Sequence, residues 1–152
     1  MTDETVDLVR AEIAHALSRI SGKIVGLSSL AAGADQVFAD QVLAVGGDLY
    51  VIQPCRDYIE TFTERDSREH FTRLVKLATA VEVLPFIRPS EDAFLAAGFE
   101  IARRVDRLFA VWDGKPSRGR GGTGDIVNYA DSSAKGSAVT IVWPSGSARS
   151  SK

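Results

Sequence analysis

The strongest constraint on this chain is an alternation. Five short apolar runs, Lys23–Ser28, Asp48–Gln53, Val81–Leu84, Arg107–Trp112 and Ala138–Trp143, are separated by segments with helical spacing. No two-residue hairpin turn joins one run to the next, so neighbouring strands must be linked by crossovers, and helices supply them. The pattern predicts an α/β fold: a Rossmann-like, open, mostly parallel five-stranded sheet with helices on both faces. The intervening segments fit. Val6, Val9, Ile13, Leu17 and Ile20 form one apolar stripe over Thr5–Ile20, with Thr2 or Asp3 as cap. Helices are also expected over Ala34–Val45, Thr63–Ala78, from Ser90 through Val105, and over Asp125–Lys135. Gly46-Gly47, Pro54 and Pro85 punctuate the pattern.

A chain of 152 residues suits one domain, expected over residues 1–143, with the Ser-rich residues 144–152 as a disordered tail. The net charge of −2 offers no basic field for nucleic acid. A single cysteine, Cys55, excludes an internal disulfide, and His15 and His70 are too far apart in sequence for ligand-type spacing, so no metal or cofactor is expected. No apolar run reaches membrane-span length, and the acidic Met1-Thr2-Asp3-Glu4 start is unlike a secretory signal, which points to the cytoplasm.

Ligands of open parallel sheets bind beyond the carboxyl ends of the strands. Two segments there carry chemistry. Gly114-Lys115-Pro116-Ser117-Arg118-Gly119-Arg120-Gly121-Gly122-Thr123-Gly124 lies between a strand and a helix and holds three cations and no carboxylate. Glycines admit an anion close to the backbone, successive N–H groups at a helix start point at it, and Arg118, Arg120 and Thr123 add donors. The ordinary alternative is a solvated surface loop. Ser28-Ser29-Leu30-Ala31-Ala32-Gly33-Ala34-Asp35 leaves room for a ligand beside the first strand, with Ser28 and Ser29 as donors. Its alternative is tight strand–helix packing, with Asp35 favouring the helix start.

Together these segments resemble the SMF/DprA–LOG (SLOG) superfamily. Ser28 to Asp35 is similar to its S-G-L-A-x-G-x-D element, with Ser29 at the usual glycine. Trp112-Asp113-Gly114 followed by Gly119-Arg120-Gly121-Gly122-Thr123-Gly124-Asp125 is similar to the W-D-G…G-x-G-G-T-x-D element of small stand-alone bacterial members. The resemblance covers about Val6 to Trp143. It implies a nucleotide or nucleotide-derived ligand with phosphate on the Gly119–Thr123 turn, held by Ser28, Ser29, Gly33, Asp113, Gly114, Arg118, Gly119, Arg120, Gly121, Gly122 and Thr123. Two departures stand out. Ile126 occupies the position of the catalytic glutamate in the phosphoribohydrolase branch, so the resemblance implies a sensor or binding module first and a nucleotide 5'-monophosphate phosphoribohydrolase second. In the second case Glu100 or Asp125 must replace the missing glutamate. The family's usual first strand also has no counterpart before the first helix. Sheet surface left uncovered in this way is expected to be buried in a homodimer, through the Val6–Ile20 helix or the exposed sheet region.

The remaining candidates are weaker. Cys55 follows a strand but has no base nearby in sequence, Arg56 and Tyr58 can clamp a base or phosphate, and His15 lies off the apolar stripe.

Overall fold

The computed structural model describes residues 1–111, 123–132 and 138–149. Within them the elements run α1 (Asp3–Ser18), β1 (Val25–Ser28), α2 (Ala34–Ala44), β2 (Asp48–Gln53), a short 3-10 turn (Tyr58–Thr61), α3 (Arg65–Leu77), β3 (Ala80–Val83), α4 (Glu91–Arg104), β4 (Arg107–Val111), α5 (Thr123–Ser132) and β5 (Ala138–Val142). The alternation read from the sequence is present, and the boundaries move by a few residues at most where both ends are described.

Local chemistry sets the helix ends. The Thr2 hydroxyl accepts the Thr5 amide at 3.2 Å and caps α1, while the Ser90 hydroxyl accepts the Ala93 amide at 3.0 Å and caps α4. Gly46 stops α2 with φ +77°, a left-handed conformation that glycine adopts without steric cost. Val9, Ile13 and Leu17 of α1 are buried against Val37 and Val42 of α2 and Val142 of β5. Each such side chain contributes about 1.5–3 kcal/mol through burial, so this stripe decides where α1 lies.

All ladders are parallel, as expected. The single five-stranded sheet is corrected: among the described residues the strands form two sheets, one ordered β1-β2-β3 and the other β4-β5. Helices cover both faces. Phe109 and Val111 of β4 join the cluster of α1 and α2 on one face. Leu108 packs with Ala102 of α4 and Ala130 of α5 on the other, as strand alternation requires. Around β2, a third cluster gathers Leu49, Val51, Cys55, Tyr58, Phe62, Phe71 and Leu74.

Two features of the described residues concern α1. The apolar stripe of α1 is spent inside the domain, so that helix has no such stripe left for an interface. The segment after β5, expected to be loose, meets α1 at Ala148: the Thr2 amide donates to the Ala148 carbonyl at 3.3 Å, and the Ala148 amide donates to the Thr5 hydroxyl at 2.8 Å. A Ser-rich composition says nothing about such backbone pairing. Residues 150–152 lie outside the described residues.

Candidate functional site

A cavity of about 1060 Å³ lies between β1 and β4. Its walls are Val25, Leu27 and Ser28 on one side and Arg107 to Val111 on the other; Ile13 and Leu17 of α1 and Gly98 and Ile101 of α4 close it above and below. At the carboxyl ends of the strands it reaches Ser29, Ala31, Ala32, Asp35, Tyr58 and Thr123.

Among the described residues of this rim, the turn leaving β1 carries the densest set of hydrogen bonds. The Ser28 hydroxyl accepts the Leu30 amide at 3.0 Å, and the Asp35 carboxylate accepts the Ala31 amide at 3.1 Å. Gln36 donates from Nε2 to the Leu30 carbonyl at 3.3 Å and to the Ser67 carbonyl at 3.0 Å, fastening the turn to α3. Leu30 has φ +58° and is the one described non-glycine residue at positive φ, and its side chain is fully buried. A left-handed leucine is strained, and it persists because its side chain and these hydrogen bonds hold it. Gly33, at φ +95°, gives α2 its entry.

Burial pushes the Asp35 carboxyl above its ordinary range, opposed by the hydrogen bonds from the Ala31 amide and the Ser28 hydroxyl. Burial, with the neighbouring Asp35 and Cys55, also pushes the Tyr58 hydroxyl well up. Tyr58 packs edge-on against Phe62, Phe71 and Phe94. It therefore offers an aromatic ring and a neutral hydroxyl to the cavity.

The structure brings together Ser28, Ser29 and Thr123 from the sequence-derived set, with Gly33 in the same turn. Ser28 is committed to Leu30 and Asp35, which leaves Ser29 as the less encumbered donor. Trp112, Asp113, Gly114, Arg118, Gly119, Arg120, Gly121 and Gly122 lie outside the described residues. Glu100 does not line the cavity. It accepts hydrogen bonds from Arg103 and Arg104, which hold its carboxyl below the usual range, and Arg104 also pairs with Glu82. Asp125 sits in the first turn of α5 and is likewise not among the lining residues. Arg56 is exposed beside Asp57, and His15 is exposed. Cys55 is fully buried and burial pushes its thiol up, the opposite of an activated nucleophile. Among the described residues, no group of His, Cys, Asp and Glu side chains is arranged to hold a metal, and no helix is long and apolar enough to cross a membrane.

Asp35 is the residue that sequence reasoning undervalued. Its place in the first turn of a helix reads as a dipole effect, and only the positive φ of Leu30 turns the Ala31 amide toward it. No family model matches the chain, and no curated protein matches it. The SLOG resemblance therefore rests on the quoted residues alone.

Proposed function

We propose that this chain binds a nucleotide or another ribose-phosphate ligand at the carboxyl ends of β1 and β4, as a sensor or binding module. One observation carries the reading. Val111 and Thr123, which flank the glycine-rich segment in sequence, both line the cavity, and so does the Ser28–Asp35 turn. The two residues that bound the glycine-rich segment thus lie on the same rim as the Ser28–Asp35 turn, at the carboxyl ends of the strands where open α/β sheets take their ligands. Thr123 opens α5, whose first N–H groups favour an anion. Tyr58 and Phe94 supply an apolar wall suited to a base.

The test is a thermal-shift screen with mono-, di- and cyclic nucleotides, NAD and ADP-ribose. A ligand at a hundred times its Kd stabilises by about 2.7 kcal/mol, a shift of several degrees for a domain of this size. At least one such ligand is expected to raise the melting temperature, and Ala32→Trp, at an exposed rim position, is expected to cancel the rise. No shift with any of them overturns the reading.

The homodimer is proposed through β3 rather than α1. Every residue of β3 is exposed, and Leu77, Val81, Val83 and Ile87 form an apolar margin around a strand that, among the described residues, is paired on one side only. Light scattering at tens of micromolar checks this, and a monomer there counts against it.

A further inference from the structure

The cavity is more than a ligand pocket at one rim, because it continues down the full length of the strands to Arg19, Lys23, Val25, Arg104 and Arg107 at their amino ends. Protein interiors rarely keep so large a space between packed elements. Its side walls are sheet edges. Among the described residues, β1 has a ladder only toward β2, and β4 only toward β5. The Asp48 amide donates to the Ile24 carbonyl at 2.9 Å, which aims Ile24, Gly26 and Ser28 at β2. Along a strand the N–H and C=O groups alternate in direction, so those of Val25 and Leu27 point into the cavity, toward β4. Helices lie above and below it, α1 through Ile13 and Leu17 and α4 through Gly98 and Ile101. A space with sheet edges at both sides and helices above and below has the surroundings of a central strand.

We propose that this slot is a β-augmentation site, filled by an extended segment of a partner polypeptide that runs parallel to β1 and β4 and joins the two sheets. Direction follows from the ladders, all of which are parallel. Composition follows from the walls. The half-buried Ile24, Phe38 and Phe109 on one face and Phe94 and Ile101 on the other, with Leu27 beside them, call for apolar side chains on both faces of the middle residues. At the amino end Arg19, Lys23, Arg104 and Arg107 outnumber the lone carboxylate Asp106. Lys23 is neutralised by Asp48, and Arg104 by Glu82 and Glu100, which leaves Arg19 and Arg107 against Asp106, a net excess of positive charge. The segment therefore begins with an acidic residue and continues with four or five β-branched ones. This use of the strand edges is independent of the nucleotide reading, which concerns the carboxyl-end rim.

The probe is an acetylated, amidated peptide, Glu-Thr-Val-Ile-Val-Ile-Gly, added to the intact chain, with amide hydrogen exchange as the readout. The control is the same peptide N-methylated at alternate residues, which keeps the side chains and removes the ladder. A second format links the unmethylated peptide ahead of Met1 through a Gly-Ser linker. This raises its effective concentration to the millimolar range, and Met1 lies at the carboxyl end of the slot, its methyl 3.6 Å from where a Gly33 Cβ would sit. Exchange at Val25, Leu27 and β4 is expected to slow at least tenfold in either format, with no slowing by the N-methylated control. The proposal is overturned if neither format slows those amides, if the control slows them equally, or if they are already protected in the free protein by a dimer that dilution dissociates. The nucleotide thermal shift, measured on the unmodified chain, fails or succeeds separately from all of these.

Discussion

The Asp35 carboxylate accepts the Ala31 amide across the first turn of α2, and this contact fixes how the chain leaves β1. Because burial raises the Asp35 carboxyl above its ordinary value of 3.8, the folded state binds its proton more tightly than the unfolded state does. Its contribution to stability is then fully present below about pH 4 and declines as pH rises through the raised value. Asp35→Asn keeps an acceptor for Ala31 and removes the titration. Its melting temperature relative to the wild type should rise as pH increases from 4 upward, in paired thermal scans. Asp35→Ala removes the acceptor and should cost about 1–3 kcal/mol. A wild-type minus Asn difference that stays constant with pH contradicts this account.

Leu30 sets two effects against each other. Leu30→Gly relieves a left-handed backbone worth about 1–2 kcal/mol, but removes a fully buried leucine side chain, a loss of about 2–5 kcal/mol. The packing loss is larger, so urea unfolding should show a net destabilisation of about 1–3 kcal/mol. A more stable variant would mean that the side chain is poorly packed.

Gly98 marks the contact between α4 and α5. A Cβ there overlaps the Ile126 Cδ1 and Cγ1 atoms, whereas the Ile126 Cβ is 3.9 Å away. Gly98→Ala gains helix propensity of up to about 1 kcal/mol yet meets an overpacking cost of about 1–3 kcal/mol. It is expected to destabilise the chain alone and to be tolerated better when combined with Ile126→Ala. A double-mutant cycle in chemical denaturation should give a favourable coupling of about 1 kcal/mol.

Hydrolysis of AMP, GMP or CMP is expected to be absent. Ile126, at the place of the catalytic glutamate in the resembled hydrolases, packs against Gly98, and Glu100 is engaged by Arg103 and Arg104 away from the cavity. N-glycosidic cleavage needs a carboxylate facing the developing positive charge. Release of free base at about 1 per second or faster would overturn this, and loss of that activity in Asp35→Asn would name the carboxylate responsible.

The strands were legible because each apolar run is bounded by a breaker, such as Gly46-Gly47 before β2 or Pro54 after it. The absence of a ladder between β1 and β4 was not, since a local pattern gives the number of strands and their direction but not which edges touch. The strained turn escaped for a related reason: leucine at position 30 carries no turn signal, and its conformation comes from burial and from Gln36 reaching both its carbonyl and α3. The attachment of Ala148 to Thr5 joins opposite ends of the chain, which periodicity cannot register. The rule that such folds work at the carboxyl ends of their strands directed attention to the Ser28–Asp35 turn, which does line the cavity.

With no ladder between β1 and β4, the described residues join the β1-β2-β3 sheet to the β4-β5 sheet mainly by side-chain packing through the helices, with the Thr2 and Thr5 contacts to Ala148 beside it. Side-chain packing loosens more readily than a hydrogen-bonded ladder, so the chain is expected to open along this line as two cooperative units, which amide hydrogen exchange would resolve. Among the described residues the half with β4, β5 and α5 has the smaller share of core, and it is expected to open first. A strand seated in the slot would give both halves a common backbone ladder and convert two unfolding steps into one, so the cooperativity of this chain would itself report occupancy.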